Sequence, residues 1–267
     1  MKIIVCVKAV PGSTEVKMDP ETNTIVRDGS QAVVNPFDAA ALEVALRLRD
    51  ERVAAGAPCE VTVLSMGIPD TASLLRDCVA RGADAGLLLS DRAFAGADTL
   101  ATSYALTCGV ARIGEPTLIL AGKMAVDGDT AQIGPELAGA LDMPCVCGVD
   151  AVESVDEAAG AARVRQQVDG AEQEVEVRLP CVLTVSKDIA TLRMPSIVGV
   201  RAAEGVEIPV LTAEAAGADA SRCGFAGSPT QVVRSFVPER RAEGVRIAGD
   251  VHEQAASVLS LVGEMGL

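Results

Sequence analysis

The chain has 267 residues, 49% of them hydrophobic and 22% charged, with a formal net charge of −14; this excludes a disordered chain and supplies apolar material for one sizeable core with an appendage. Lys and Arg are few and scattered, so the long-range field repels a phosphate backbone or an anionic membrane surface, and no nucleic-acid partner is expected. Only 2% of residues are aromatic and Trp is absent, so a core built from Ala, Val, Leu and Gly is expected, with helices packed closely on a sheet.

In chain order, residues 2–7 read as a buried strand. The apolar run stops at Lys8, with neither a cleavable leader pattern nor the length of a membrane span, so a cytoplasmic chain is expected. Eight cysteines in such a chain point to a reducing compartment and free thiols. Further β-branched runs at 59–65, 85–89 and 117–121 predict strands. Between them, helical spacing covers 39–52, with apolar Leu42, Ala45, Leu46 and then Val53, as well as 71–81 and 99–113. Gly82, Gly109 and Gly114 fall where these helices should close. The alternation predicts an α/β fold: a doubly wound, mainly parallel, Rossmann-like sheet of the adenine-nucleotide-binding kind.

After about Leu141 the pattern becomes that of antiparallel strands, at 145–152, 162–168 and 173–179, with Asp169-Gly170 as a hairpin turn inserted before a returning strand at 181–185. From 188 to 239 no regular period appears among many Gly and Pro residues, and a segment of that kind is expected to lie as an arm on another protein. Residues 251–265 predict an amphipathic helix with Val258, Leu259, Leu261 and Val262 on its apolar side. The expected organisation is a nucleotide-binding domain at 1–187, a partner-wrapping arm at 188–239, and a C-terminal segment with its helix at 240–267.

In doubly wound sheets, ligands bind beyond the carboxyl ends of the strands, which nominates four loops. Residues 8–13 carry neither a dinucleotide fingerprint nor a Walker loop, which argues against an ordinary NAD enzyme. In Asn35-Pro36-Phe37-Asp38, Asp38 is placed to cap the following helix, and the Asn35 amide could read an adenine edge. In residues 90–99, Gly96 and Ala97 keep the backbone accessible, Asp98 or Thr99 caps a helix, and Arg92, beside Asp91 and Phe94, supplies a planar donor for an anion or a flavin. Residues 122–135 are the most informative. Small residues at Gly122, Gly128, Ala131 and Gly134 let main-chain N–H groups approach a pyrophosphate, and a helix starting near Thr130 points its positive end at it. Asp127 and Asp129 read as caps rather than as a Mg²⁺ site. Cys145 and Cys147 form a C-x-C pair that lacks a second pair, and His252 is the sole histidine, so they read as small buried hydrophobes and no metal is expected. Without a second histidine or a nucleophile–base pair, hydrolase chemistry has no residues to run on.

Along essentially its whole length the chain resembles the electron-transfer flavoprotein β subunit. The matching segments are residues 1–8, Asn35 to Asp38 with Ala41-Leu42-Glu43, Gly82-Ala83-Asp84, residues 125–135, and residues 177–184. The resemblance implies a heterodimer with an electron-transfer flavoprotein α subunit that carries one redox FAD. In respiratory members β holds a structural AMP, whereas a second group binds a further FAD there and uses it for electron bifurcation. Residues 90–102, 127–132 and 227–232 are similar to that second group, so FAD is expected, with AMP the alternative. Carried over by position, Ala9, Asn35, Pro36, Phe37, Asp38, Met66 and Gly122, Lys123, Met124, Ala125, Asp127, Gly128, Asp129, Thr130, Ala131, Gln132, Ile133 and Gly134 would hold adenosine and phosphates. Asp91, Arg92, Ala93, Phe94, Gly96, Ala97, Asp98 and Thr99 would lie along the extra flavin. Met66 stands where some members have Cys, which implies a backbone contact, and Phe37 would approach the flavin on α. Arg193, Met194 and Ile197 match the loop that docks on a dehydrogenase, with the acyl-CoA type as a candidate. The lysine-rich stretch common after that loop is here Gly199-Val200-Arg201-Ala202-Ala203-Glu204, which leaves the identity of the dehydrogenase open. The expected function is an electron-carrier subunit without catalytic residues of its own. The competing readings are a stand-alone adenine-nucleotide regulatory module and a simple carrier with structural AMP.

Overall fold

A computed structural model describes residues 1–12, 32–233, 244 and 246–266. Residues Met1–Val232 form one compact unit and Val233–Leu267 a second.

The first unit is a nine-stranded sheet layered between helices. Strands β1 (Lys2–Cys6), β4 (Glu60–Met66), β5 (Ala85–Leu89), β6 (Leu118–Gly122) and β10 (Cys181–Val185) are parallel. Strands β7 (Cys145–Asp156), β8 (Ala161–Val168) and β9 (Ala171–Arg178) extend one edge as an antiparallel meander, with β7 itself parallel to β10. At the other edge β11 (Val210–Leu211) pairs with β5, so the order is β11-β5-β4-β1-β6-β10-β7-β8-β9. A separate ribbon, β2 (Ala9–Pro11) with β3 (Ala32–Val34), stands where a plain loop was expected after β1.

The central strands are buried on both faces, as continuous apolar runs require. Ile3, Val5, Leu118 and Leu120 face α1 (Pro36–Ala54) and α2 (Thr71–Ala80). Ile4, Leu64, Leu89 and Ile119 face α3 (Thr99–Ile113) and α4 (Ile133–Ala140). Helices on both faces make the sheet doubly wound, as the alternating pattern predicts. In α1 the buried stripe runs from Asp38 to Leu46, and Val53, read as part of it, is exposed because the last turns outrun the sheet.

Two glycines show why a residue type alone misplaces a helix end. Gly114 closes α3 at φ 103°, where a side chain would be strained. Gly109, also expected as a helix end, lies inside α3, where a Cβ would stand 2.8 Å from Leu64 Cδ1; it is needed for close helix–strand approach. The Asp169-Gly170 turn joins β8 to β9 as expected, with Gly170 at φ 75°.

The segment after Lys187, expected to lack regular structure, contains α5 (Ile197–Glu204), β11, α6 (Ala213–Ala216) and α7 (Gly224–Gly227). Ala203, Ile208, Ala213, Ala216 and Cys223 are buried, so up to residue 232 the segment seals the β5 edge of the sheet. Each element is too short to show a period, which is why the pattern was invisible. Residues 234–243 of the expected arm and C-terminal segment lie outside the described residues. In the second unit, α8 (Val251–Glu264) begins at a capping box in which Asp250 accepts from His252 N and Glu253 N and Glu253 returns a bond to Asp250 N.

Candidate functional site

The chain runs from β1 outward through β4 to β5 and then crosses to β6 on the other side of β1. Strand order therefore reverses between β1 and β6, and the crevice beyond their carboxyl ends is where such sheets bind ligands. Residues 7–12 and 122–132 flank it.

Asp38 and Asn35 hold this crevice open. Asp38 was expected to cap α1, but it sits in the first turn and reaches away from the helix, accepting from Lys8 N at 2.8 Å and Gly122 N at 3.0 Å. One carboxylate thus ties together the ends of β1 and β6. Burial pushes its pKa up to about 7, against the opposing effect of those hydrogen bonds. Asn35 is fully buried; its amide donates to Met124 O at 2.9 Å and accepts from Val126 N at 3.1 Å. Its side chain, expected to read an adenine edge, supports the loop from beneath with both polar ends bonded to the main chain. Gly122 is required here, since a Cβ would stand 2.8 Å from the Phe37 carbonyl carbon. Phe37 itself is half-buried against this turn.

Beyond Gly122 the chain makes an exposed turn. Lys123 N donates to Val185 O at 2.8 Å, and Asp129 N to Ala125 O at 2.8 Å. Asp129 and Ala131 then adopt left-handed conformations, φ 53° and 56°, a costly choice for residues with a Cβ. The helix begins at Ile133, three residues later than expected, because those left-handed residues cannot lie in α4. Among the described residues, the N–H groups of Thr130, Ala131, Gln132, Ile133 and Gly134 have no protein acceptor. Left-handed turns that bring successive N–H groups to a helix start form anion-binding concavities. Thr130, Ala131 and Gln132 are exposed, as is Gly128, where a Cβ would meet only Lys8 Nζ, at 3.8 Å. These donors fit a phosphate or pyrophosphate. Lys8, which sequence reasoning passed over as a loop residue, donates from Nζ to Asp127 Oδ1 at 2.6 Å and pins the turn's outer edge. Among the described residues no cluster of three or more metal-ligating side chains exists.

The 90–99 segment joins the same face. Asp98 caps α3 by accepting from Ala101 N at 3.1 Å, as expected, and also binds Thr230 N and Oγ1 at 3.1 and 2.8 Å. Thr99 Oγ1 lies 3.4 Å from Gln132 Oε1 and 3.0 Å from Glu136 Oε1, so the two loops meet at Thr99. Asp91 is turned inward, accepting from Ala93 N at 3.1 Å and Ala213 N at 3.0 Å, and these main-chain donors lower its pKa. Phe94 is buried in the core. Arg92, in contrast, is exposed and has no ion pair among the described residues. Ala9 and Met66 are half-buried at the strand ends. A hollow lined by Met1, Arg47, Glu51, Arg52 and Asp150 lies at the amino end of the strands, away from this crevice.

A second surface lies at residues 192–198. Arg193 does not reach outward: it pairs with Glu43 at 3.0 Å and Asp50 at 2.6 Å, its own N–H donates to Glu43 Oε2 at 3.0 Å, and Arg81 grips its carbonyl at 2.7 Å. Although burial raises the Glu43 pKa, the bonds from Arg193 and Arg47 hold it below its usual value. On this anchor Met194 and Ile197 are 82% and 77% exposed, beside the equally exposed Val198, so large apolar side chains gather on the surface there. Ile197 opens α5, with Ser196 as its cap.

The Electron transfer flavoprotein domain model matches residues 22–216. Over 99% of its length the chain is 43% identical to the Caffeyl-CoA reductase-Etf complex subunit CarD of Acetobacterium woodii, covering 98% of that protein. It is 40% identical to the Electron transfer flavoprotein subunit beta of Clostridium acetobutylicum, over 99% of this chain and 98% of that one. To Protein FixA of Azorhizobium caulinodans the identity is 42%, over 91% and 86% of the two chains.

Proposed function

The chain belongs to the electron-transfer flavoprotein family as a β-type electron-transfer subunit, and on that premise we propose that it holds FAD in the crevice between β1 and β6 and passes electrons as half of a heterodimer with an α subunit. The observation that carries this reading is the turn at residues 129–134, in which the main-chain N–H groups of residues 130–134 find no acceptor among the described residues. A diphosphate would satisfy them, with Gly128 leaving room for its approach. The adenosine side would rest on Ala9, Met66 and the Asn35-to-Asp38 turn. Thr99 and the exposed Arg92 would face the rest of the molecule, Arg92 supplying positive charge that favours a reduced, anionic ring. Bound there, a flavin supplies the hydride and one-electron chemistry; the chain orients it and sets its electrostatics.

The complex-forming relative CarD, with its reductase partner, supports electron bifurcation, with Met194 and Ile197 contacting a dehydrogenase. The test is to co-express the chain with its α subunit, release the cofactors and count them. Two flavins and no AMP per heterodimer are expected. One flavin with one AMP would make the protein a simple carrier, and a preparation without any adenine compound on β would refute the site.

A further inference from the structure

Cys145 and Cys147 do not behave as the buried hydrophobes expected of them. Cys147 is exposed and Cys145 half-buried, and their sulfurs lie 3.7 Å apart. Residues two apart on a regular strand share a face, but full extension keeps their side chains apart. Here the strand is not regular. Against β10, residues 146 to 149 span the distance from Leu183 to Val185, one residue more than their partner, and Gly148 sits at φ 68°. This is a β-bulge, and such insertions bend the strand and re-aim side chains. Gly148 N donates to Thr184 Oγ1 at 3.1 Å, which fixes the bulge to β10.

We infer that Cys145 and Cys147 are a dithiol that closes reversibly to an intrachain disulfide, a modification site built on the β7 bulge. The oxidant is a low-molecular-weight disulfide. The Cys147 thiolate attacks one of its sulfurs, forming a mixed disulfide and expelling one thiolate, which takes the proton Cys147 gave up. Cys145 then loses its proton and attacks the Cys147 sulfur, forming the Cys145–Cys147 bond and releasing the second thiolate, which takes that proton. The two cysteine sulfurs lose two electrons in all, and the external disulfide becomes two thiols.

The surroundings assign the order of attack. The Cys145 thiol hydrogen-bonded to Cys147, the Thr184 hydroxyl and the Lys123 ammonium hold Cys147 below the ordinary thiol range, while the same sulfur pair and burial push Cys145 up. The exposed sulfur is thus the nucleophile and the sheltered one resolves it. Cys6, Cys78 and Cys181 are buried. Burial drives all three thiols up to about 12, so they do not compete.

The test uses the native complex with its α subunit, treated with oxidised glutathione, alkylated and analysed as peptides by mass spectrometry. The peptide carrying both cysteines should lose two hydrogens, resist alkylation, and regain both thiols with dithiothreitol. Cys145→Ser should trap glutathione on Cys147, while Cys147→Ser should leave Cys145 unmodified. Stable glutathione on wild-type Cys147, full alkylation of both thiols, or a bond that forms only after the protein is denatured would each overturn the inference.

Discussion

Replacing Asn35 with alanine removes a side chain that is fully buried and serves two main-chain partners, the Met124 carbonyl at 2.9 Å and the Val126 N–H at 3.1 Å. A polar group stranded without a partner costs about 1–3 kcal/mol when buried and little when water can reach it. Val126 is 54% exposed, so its N–H recovers most of its loss from solvent, whereas Met124 is half-buried and does not. With the small cavity added, the expected destabilisation is about 2–3 kcal/mol, a large part of a marginal total. Urea unfolding followed by far-UV circular dichroism should show a lower midpoint at unchanged slope. Asn35→Asp discriminates between lost packing and lost hydrogen bonding. It keeps an acceptor for Val126 N–H but sets a carboxylate oxygen against the Met124 carbonyl and near Asp38. It should therefore be at least as damaging as alanine at pH 8 and recover on acidification, when the protonated acid can donate. An alanine variant within about 0.5 kcal/mol of wild type, or an aspartate variant indifferent to pH, would refute the reading of Asn35 as the loop's support.

Gly122→Ala should lose adenine-nucleotide binding and at least about 2 kcal/mol of stability, because the new Cβ meets the Phe37 backbone, which cannot swing aside; equilibrium dialysis with FAD and AMP, alongside urea unfolding, checks both. Asp38 has a folded-state pKa raised from 3.8 to about 7, so between those values the folded chain keeps a proton that the unfolded chain has lost, and its contribution to stability declines as pH rises through that window. Asp38→Asn should abolish that decline even if it lowers stability overall, and unfolding midpoints from pH 5 to pH 8 measure the difference in slope. Arg193→Ala leaves Glu43, whose side chain is 6% exposed, with only Arg47 as a charged partner, and should cost about 1–3 kcal/mol at pH 7. Since the native Glu43 pKa is depressed, this contribution is present above the ordinary glutamate range and is lost as pH falls through the lower native value. The gap between variant and wild type should close in acid, and a gap that persists would mean the arginine acts through packing alone.

What was legible in the sequence was whatever repeats. The strands at 85–89 and 181–185 and the helix at 99–113 match the structure end to end, because long apolar runs and helical periods report burial directly. The short elements between residues 197 and 227 have no room for a period, and β11 is held by the edge of β5 rather than by its own pattern. Asp38 was misread for a related reason: an aspartate at a helix start is usually a cap, and only the approach of β1 and β6 supplies the two N–H donors that draw it away. The C-x-C pair failed similarly, since the bulge that turns Cys147 outward arises from register against β10 and leaves no mark in residue types.

The loops that line the crevice were legible in the sequence, but the aim of their main-chain donors was not, and the physical reason lies in the charge of the chain. At a net charge of −14 a binding site for an anion cannot rely on the overall field, and Lys8 at the turn's outer edge is already paired with Asp127. On the proposed function, attraction would come from dipoles fixed at short range, which the main chain at 130–134 would provide and which long-range repulsion, screened over about 10 Å at moderate salt, does not cancel. Main-chain donors have no residue signature; only the conformation that aims them does. Here that conformation is enforced from below by two buried side chains, Asn35 and Asp38, which sit some 90 positions upstream of the turn in sequence. On the proposed function, recognition depends on how α1 is seated against β6, and a substitution in the first turn of α1 that never touches a ligand should weaken binding as much as one in the turn itself.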